Sequence, residues 1–507
     1  MQTTGWVSGV SIVDVNADGW PDIYACRTAH RQPELRQNLL FINQQDGTFR
    51  EMAAAYGLAD TSYSTHAAFF DYDRDGDLDV YLLNHMHLFS GANDPLPRKS
   101  DGSAPHTDRL LRNDGDTGAD HPQFSDVSRA AGITFEGFGL GVAIADLNGD
   151  DWPDIYVSND FISNDLLYLN NGDGTFSNRI AEMLAYQSHN GMGCDIADIN
   201  GDGLPDIFVA DMLPETSPAR KRMMMNTGYD LFMLSLQVGY EPQYTRNTLQ
   251  LNRGNGYFSE IAQLAGLHST DWSWSPLFGD FDNDGDPDLL ITNGHFKDLT
   301  DLDFIIYRRK RSGFRTQAQR DSLYLSLLDP LQGIYRVNYL YENTGDLQFA
   351  DRRAAWGFDR PSYSTGAALA DLDGDGALDL VVSNLNEPPF LYKNQARQQN
   401  PAHFLKIALQ GPSLNPAGLG AKIWLHAGGA LQYREMQPGR GFQSVSSAVI
   451  HLGLGEWDTI DSLRIRWPDG REQRLYSVAA DQRLNLNHAD AQAGAGPAHR
   501  RPAPCRL

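Results

Sequence analysis

The stretch HAAFFDYDRDGDLDVYLLN, residues 66–84, holds the fold in miniature: a small-residue and aromatic run, an acidic loop, then an aliphatic run. The loop follows the pattern Asp-x-(Asp/Asn)-x-Asp-Gly-x-x-Asp. The same pattern starts at Asp14, Asp71, Asp146, Asp198, Asp280 and Asp371, six copies in all. Each copy is preceded by a run such as GVAIA or GAALA and followed by one such as IYVSN or LVVSN. Short apolar runs bounded by Gly and Asp turn signals read as strands. A second element recurs between the loops: NLLFINQQDGTF from Asn38, DLLYLNNGDGTF from Asp165, NTLQLNRGNGYF from Asn247 and NYLYENTGDLQF from Asn338. These are hairpins, three of them around an Asn-Gly or Asp-Gly turn.

Two strands flanking the loop and two from the hairpin make a four-stranded unit, and radial repetition of such units predicts an all-β propeller. A stacked solenoid is the competing architecture. Irregular spacing and two long insertions, near 212–240 and 298–335, favour blades. Both insertions read as partly helical, and the second carries the basic run Arg308–Arg311. The expected organisation is a repeat domain over 1–399, a small β domain over 400–487 and a disordered Ala/Pro/Gly/Arg-rich tail over 488–507. In the small domain, LRIRW alternates Leu463, Ile465 and Trp467 with two arginines, a strand with one buried face. A chain ending near Gln395 is expected to keep the repeats folded.

The loops also carry chemistry. Calcium takes six to eight hard oxygens, and carboxylates at alternate positions of a tight loop aim them at one centre. The predicted ligand sets are Asp14, Asn16, Asp18, Trp20 and Asp22; Asp71, Asp73, Asp75, Asp77 and Asp79; Asp146, Asn148, Asp150, Trp152 and Asp154. The later loops supply Asp198, Asn200, Asp202, Leu204 and Asp206; Asp280, Asp282, Asp284, Asp286 and Asp288; Asp371, Asp373, Asp375, Ala377 and Asp379. The seventh position enters through its backbone carbonyl. The sixth is Gly in every loop but the third, where Asp151 stands and is expected to weaken the site. Position 12 is apolar throughout, from Ala25 to Val382, so none is an EF-hand, which needs Glu there. One acidic loop alone is a solvated turn; six in register predict about six Ca²⁺ sites.

The loops and their flanks resemble FG-GAP/VCBS repeats. The tail from His403, with RGFQS, HLGLG and WPDG, resembles the ASPIC/UnbV domain. The combination resembles bacterial relatives of cartilage acidic protein. That resemblance implies an exported protein, often on the cell surface, with a seven-bladed propeller, of which one blade is absent or lacks a loop here. No leader precedes the repeats, so the chain is expected to begin within one and its signal peptide to lie outside the sequence.

The chain has 507 residues, 41 Lys+Arg against 65 Asp+Glu and a formal charge of -24, which argues against nucleic acid as a partner. Three scattered cysteines form no metal or disulfide pattern, and no apolar run is long enough to span a membrane. Nucleophile elbows, Walker loops, HExxH and paired catalytic carboxylates are absent from the sequence. The expected function is therefore an extracytoplasmic binding or adhesion module for a glycan or protein. A lyase-like polysaccharide enzyme is the alternative, and RNA binding the third. His85, His87 and His295 follow strand ends, as surface loop histidines or as groups meeting on one rim. Five residues after each ninth-position Asp stands a polar residue: Arg27, Asn84, Asn159, Asp211, Asn293 and Asn384. These cap their own strands, or else form a hydrogen-bonding rim for a ligand.

Overall fold

The computed structural model describes residues 5–86, 91–223, 228–311, 316–399 and 401–494. Each acidic loop joins the first two strands of an antiparallel sheet, and six such sheets follow one another along the chain. Blade 1 contains Trp6–Val13, Asp22–Thr28, Leu39–Asn43 and Phe49–Glu51. Blades 2 to 5 repeat that order, and blade 6 has three strands, Ser364–Ala370, Asp379–Asn384 and Phe390–Tyr392. The protein is a β-propeller with six blades among the described residues. First strands of successive blades lie side by side in the order of the chain.

Apolar clusters join neighbouring blades. Tyr81, Leu83, Val142 and Ile155 belong to the cluster of blades 2 and 3; Phe208, Leu249, Leu289 and Ile291 to that of blades 4 and 5. A blade's second strand is covered on both faces, which is why Asp79–Asn84 and Asp288–Asn293 are buried at every residue and read as near-continuous apolar runs.

Residues 403–487 form two further sheets, one of Val449–Gly455, His403–Gln410 and Gln482–Asn487, the other of four strands from Lys422 to Ala479. They pack on the propeller end that carries the acidic loops. Arg74 donates to the Pro468 carbonyl, Gly453 N–H to Asp280 Oδ2 at 3.1 Å, and His451 Nε2 lies 3.1 Å from the Gly376 carbonyl. The expected disordered tail is folded through residue 494: His488–Asp490 form a short 3₁₀ turn, and Glu472 and Gln492 exchange backbone hydrogen bonds. Its remainder lies outside the described residues.

The expectation that the repeats stand without the tail meets a physical obstacle. From the small domain, a hairpin of Gly439–Arg440 and Ser444–Val445 reaches into the ring. Gly441 and Cys194 exchange backbone hydrogen bonds, and Ser447 N–H donates to Leu369 O at 3.0 Å. Ser444–Val445 contacts the first strands of both blade 1 and blade 6, bridging the seam of the ring. Arg440 clasps the buried Asp195 with two hydrogen bonds of 2.8 and 2.6 Å and donates to the Phe278 carbonyl. Phe442 joins the apolar cluster of blades 4 and 5.

A chain ending at Gln395 should therefore melt well below the full chain and bind a hydrophobic dye. Arg440→Ala should cost about 3 kcal/mol in urea unfolding, because it strands the Asp195 carboxylate without its partner.

Candidate functional site

The six loops share one hydrogen-bond plan. The first-position carboxylate, from Asp14 to Asp371, accepts the backbone N–H of position six at 2.7–3.1 Å in all six. That closure needs a left-handed residue at position six: φ is 88° at Gly19, 106° at Gly285 and 75° at Asp151. The ninth-position aspartate faces the other way. Its Oδ2 accepts the N–H of position two at 2.9–3.1 Å in every loop. Its Oδ1 accepts the backbone N–H of an asparagine on or just after the blade's third strand at 2.7–2.9 Å.

Those third-strand asparagines, Asn43, Asn113, Asn170, Asn252, Asn343 and Asn394, are visible in the repeat but carry no predicted role; their recurrence in register is the available signal. Four also lock blade to blade. Asn170, Asn252, Asn343 and Asn394 donate through Nδ2 to the second-position carbonyl of the preceding blade's loop, Tyr72, Leu147, Ile199 and Phe281, at 2.7–3.0 Å.

Three loops bring carboxylate oxygens within 4.8 Å of one another: Asp71, Asp73 and Asp79; Asp280, Asp282 and Asp288; Asp371, Asp373 and Asp379. In loop 2, Oδ1 of Asp71, Asp73 and Asp77 is buried without a hydrogen-bond partner among the described residues, and so is Oδ1 of Asp280 in loop 5. Burial first, then repulsion from Asp75 and Asp73, pushes the Asp71 carboxyl up to about 7. Burial also pushes Asp79 up to about 9, and burial with neighbouring Asp75 pushes Asp77 to about 7. Asp280 and Asp288 are driven well above the carboxylate range by burial, then by the other loop acids. A divalent cation among such oxygens would supply the missing partner and remove the repulsion, so loops 2 and 5 fit a cation.

Loops 3 and 6 differ. Lys422, buried on the small domain, places its ammonium on Asp146 Oδ2 and 3.2 Å from Asp151 Oδ1. Arg466 adds a 2.7 Å contact to Asp151 Oδ2, and Asp146 N–H donates to Glu435. The residue that replaces glycine in loop 3 is thus an acceptor for two cations of the small domain. In loop 6 Lys406 sits on Asp371, and Lys393 on Asp373. Loops 1 and 4 carry Asn16 and Asn200, whose amides donate to Asp18 and Asp202 at 3.2 and 3.0 Å.

The polar strand-end residues gather at the opposite end of the ring. Asn84, Asn159, Asp211 and Asn293 are fully buried and Asn384 is half-buried. Amide Nδ2 donates to Thr107 O from Asn84, to Asn164 O from Asn159, to Thr270 O from Asn293 and to Pro388 O from Asn384. The Asp211 carboxylate accepts from Ser188 Oγ and from the N–H groups of His189, Asn190 and Arg246. Arg27 donates to Leu35 O. Their donors engage the protein's own backbone, while Oδ1 of Asn84, Asn159 and Asn293 is buried without a hydrogen-bond partner among the described residues. His85 packs between Phe138 and Phe161 in one sector, while His295 stacks on Trp272 in another; His87 lies outside the described residues.

The FG-GAP-like repeat model matches residues 14–82, 146–209, 230–291 and 327–382, which contain all six loops. The model described as ASPIC and UnbV matches residues 411–493. The chain belongs to the FG-GAP-repeat proteins that carry an ASPIC/UnbV domain. It is related to cartilage acidic protein 1: 24% identical to the Homo sapiens protein over 91% of this chain, and 27% to the Xenopus tropicalis protein over 68%. It spans 60% and 44% of those relatives' own lengths. Among solved structures, an Agrocybe aegerita lectin recognising terminal N-acetylglucosamine superposes with a TM-score of 0.36 at 15% identity, over 77% of this chain and 82% of the lectin. The rhamnogalacturonan lyase YesX gives 0.33 at 11%, over 94% and 72%.

Two substitutions test the plan. Asp206→Ala should cost about 2–4 kcal/mol by thermal or urea unfolding, since it leaves the buried Ile199 and Asn252 N–H groups without acceptors. Asp151→Gly relieves a left-handed backbone yet removes the acceptor of Lys422 and Arg466, and should lower stability by about 1–2 kcal/mol.

Proposed function

We propose that the protein is an extracytoplasmic calcium-binding module that recognises a glycan or protein partner. The observation supporting calcium is the set of buried, unpartnered carboxylate oxygens in loops 2 and 5, held by a backbone plan that all six loops share. Bound ions would stiffen the propeller end on which the small domain packs. Loops 2 and 5 are the strongest sites. Loops 3 and 6 already hold lysine ammonium groups, so the count of bound ions falls below the six that the repeat suggests.

An extracytoplasmic setting agrees with this, because calcium sites of extracellular type fill only at about 10⁻⁴ to 10⁻³ M. Among the described residues no helix is long and apolar enough to cross a membrane. Relationship to cartilage acidic protein 1 supports the same reading. The acidic loop end is covered by the small domain, which leaves the opposite end, with its two insertions, for recognition.

Removing calcium tests the proposal. Ions that bind only the folded state stabilise it by mass action, so chelator should lower the melting temperature, and calcium but not magnesium should restore it. The sign of the pH dependence is an added check. Carboxyls raised from 3.8 to about 7 (Asp71) and about 9 (Asp79) bind protons more tightly in the fold. Without cation, stability should be full below pH 4 on this account and fall as pH rises through about 7 to 9; with calcium that fall should vanish. Ion counting by native mass spectrometry should show Asp280→Ala losing one calcium and Asp146→Ala losing none. An unchanged melting curve in chelator would sink the calcium reading.

A further inference from the structure

The two insertions enclose a cleft of about 730 Å³ on the propeller end away from the acidic loops, beside blades 4 and 5. Its walls include the turn of Ser217–Arg222 and the helix Leu302–Arg311. Trp272 lines it just before blade 5 begins. The indole is 7% exposed, and its Nε1–H has no hydrogen-bond partner among the described residues. One face of that ring stacks on His295, centroids 4.2 Å apart at 18°, which fixes its orientation. Tyr307 stands in the wall, 45% exposed. Two buried aspartates each meet an arginine: Asp301 with Arg222 at 2.7 Å, Asp271 with Arg336 at 3.2 Å.

We propose that this cleft is a binding site for a neutral oligosaccharide. The assignment rests on the binding-module reading above and gives that reading a location and a ligand class. A buried N–H without an acceptor calls for a ligand that accepts a hydrogen bond in a confined place. Carboxylate–guanidinium pairs offer acceptors and donors side by side, which matches vicinal hydroxyls that donate with one oxygen and accept with the next. Exposed aromatic surface packs on the apolar face of a pyranose. Asp298 and Asp303 add further negative charge to the lining, so the cleft disfavours uronate or sulfated chains. Lysine and arginine side chains offer donors only and cannot satisfy the Trp272 N–H.

The test uses the full chain in calcium and three probe sets: neutral gluco-, galacto- and manno-oligosaccharides, uronate or sulfated oligosaccharides, and Arg/Lys-rich peptides. Binding is read by calorimetry and tryptophan fluorescence. A neutral oligosaccharide should bind. Trp272→Phe, which keeps the stack on His295 but deletes the N–H, should weaken it ~10-fold, about the worth of one buried hydrogen bond. Tyr307→Ala, at an exposed position, should weaken it several-fold with an unchanged melting temperature. Binding of neutral sugars that neither variant alters would place the sugar elsewhere and overturn the cleft while leaving the module reading intact. Preference for an anionic oligosaccharide or a basic peptide, weakened by Trp272→Phe, would overturn the ligand class. No binding by any neutral oligosaccharide also overturns the proposal, whereas the module reading falls only if no glycan or protein probe binds the chain at all.

Discussion

The ninth-position aspartate is the constraint on which the rest of the molecule depends. Six times, one carboxylate receives a backbone N–H from its own loop and another from the hairpin behind it. A carboxylate is the side chain suited to this, having two oxygens and no donor of its own. The contact fixes where the second strand starts and how far the hairpin is displaced from it. The hairpin asparagine, once fixed, extends its amide to the carbonyl of the loop in the preceding blade. Blade geometry and the angle between blades are therefore set by the same pair of residues, and the apolar clusters fill the spacing so defined.

Ring closure is solved differently. Blades 1 to 6 are joined in series by side-chain clusters and asparagine bridges, but the seam between the last and the first is spanned by a hairpin of the small domain. Its half-buried Arg440 makes two hydrogen bonds to the buried Asp195 carboxylate, a bidentate arrangement that holds both partners in one position. Its strands Gly439–Arg440 and Ser444–Val445 touch the first strands of blades 1, 3, 4 and 6. Each of those strands supplies one side of the axis, so the hairpin reads the ring as a whole.

Electrostatics ties the two parts together. A chain with a formal charge of -24 gathers much of its acid at one end of the propeller, and the small domain delivers Lys406, Lys422 and Arg466 to that end. Where a lysine arrives, a loop is neutralised by the protein itself. Where none arrives, as at Asp71 and Asp280, carboxyl groups are held far above their ordinary range by burial and by one another. The loops are thus alike in sequence and unlike in electrostatic state. That difference comes from which part of the small domain lies above each one.

The all-β repeat, the strand–loop–strand unit, the hairpin and the candidate ligand positions could all be read from the chain, because each depends on neighbours within about ten residues and recurs. The left-handed turn at Gly19, Gly76 or Gly285 is local chemistry of that kind. The role of Asp151 was not legible: within its own loop it reads as a defect, and its partners Lys422 and Arg466 lie some 270 and 315 residues further along. The strand-end asparagines recur as clearly as the loop aspartates, yet recurrence alone could not show that their amides donate to carbonyls of the chain itself, as Asn84 does to Thr107 and Asn159 to Asn164. Nor could the chain show that RGFQS enters the ring, or that two helical insertions meet over Trp272 to leave a cleft. Local repetition determined the blade, and tertiary structure decided which loops are neutralised, what closes the ring and where a ligand can reach, since these depend on charges and surfaces brought together from distant parts of the sequence.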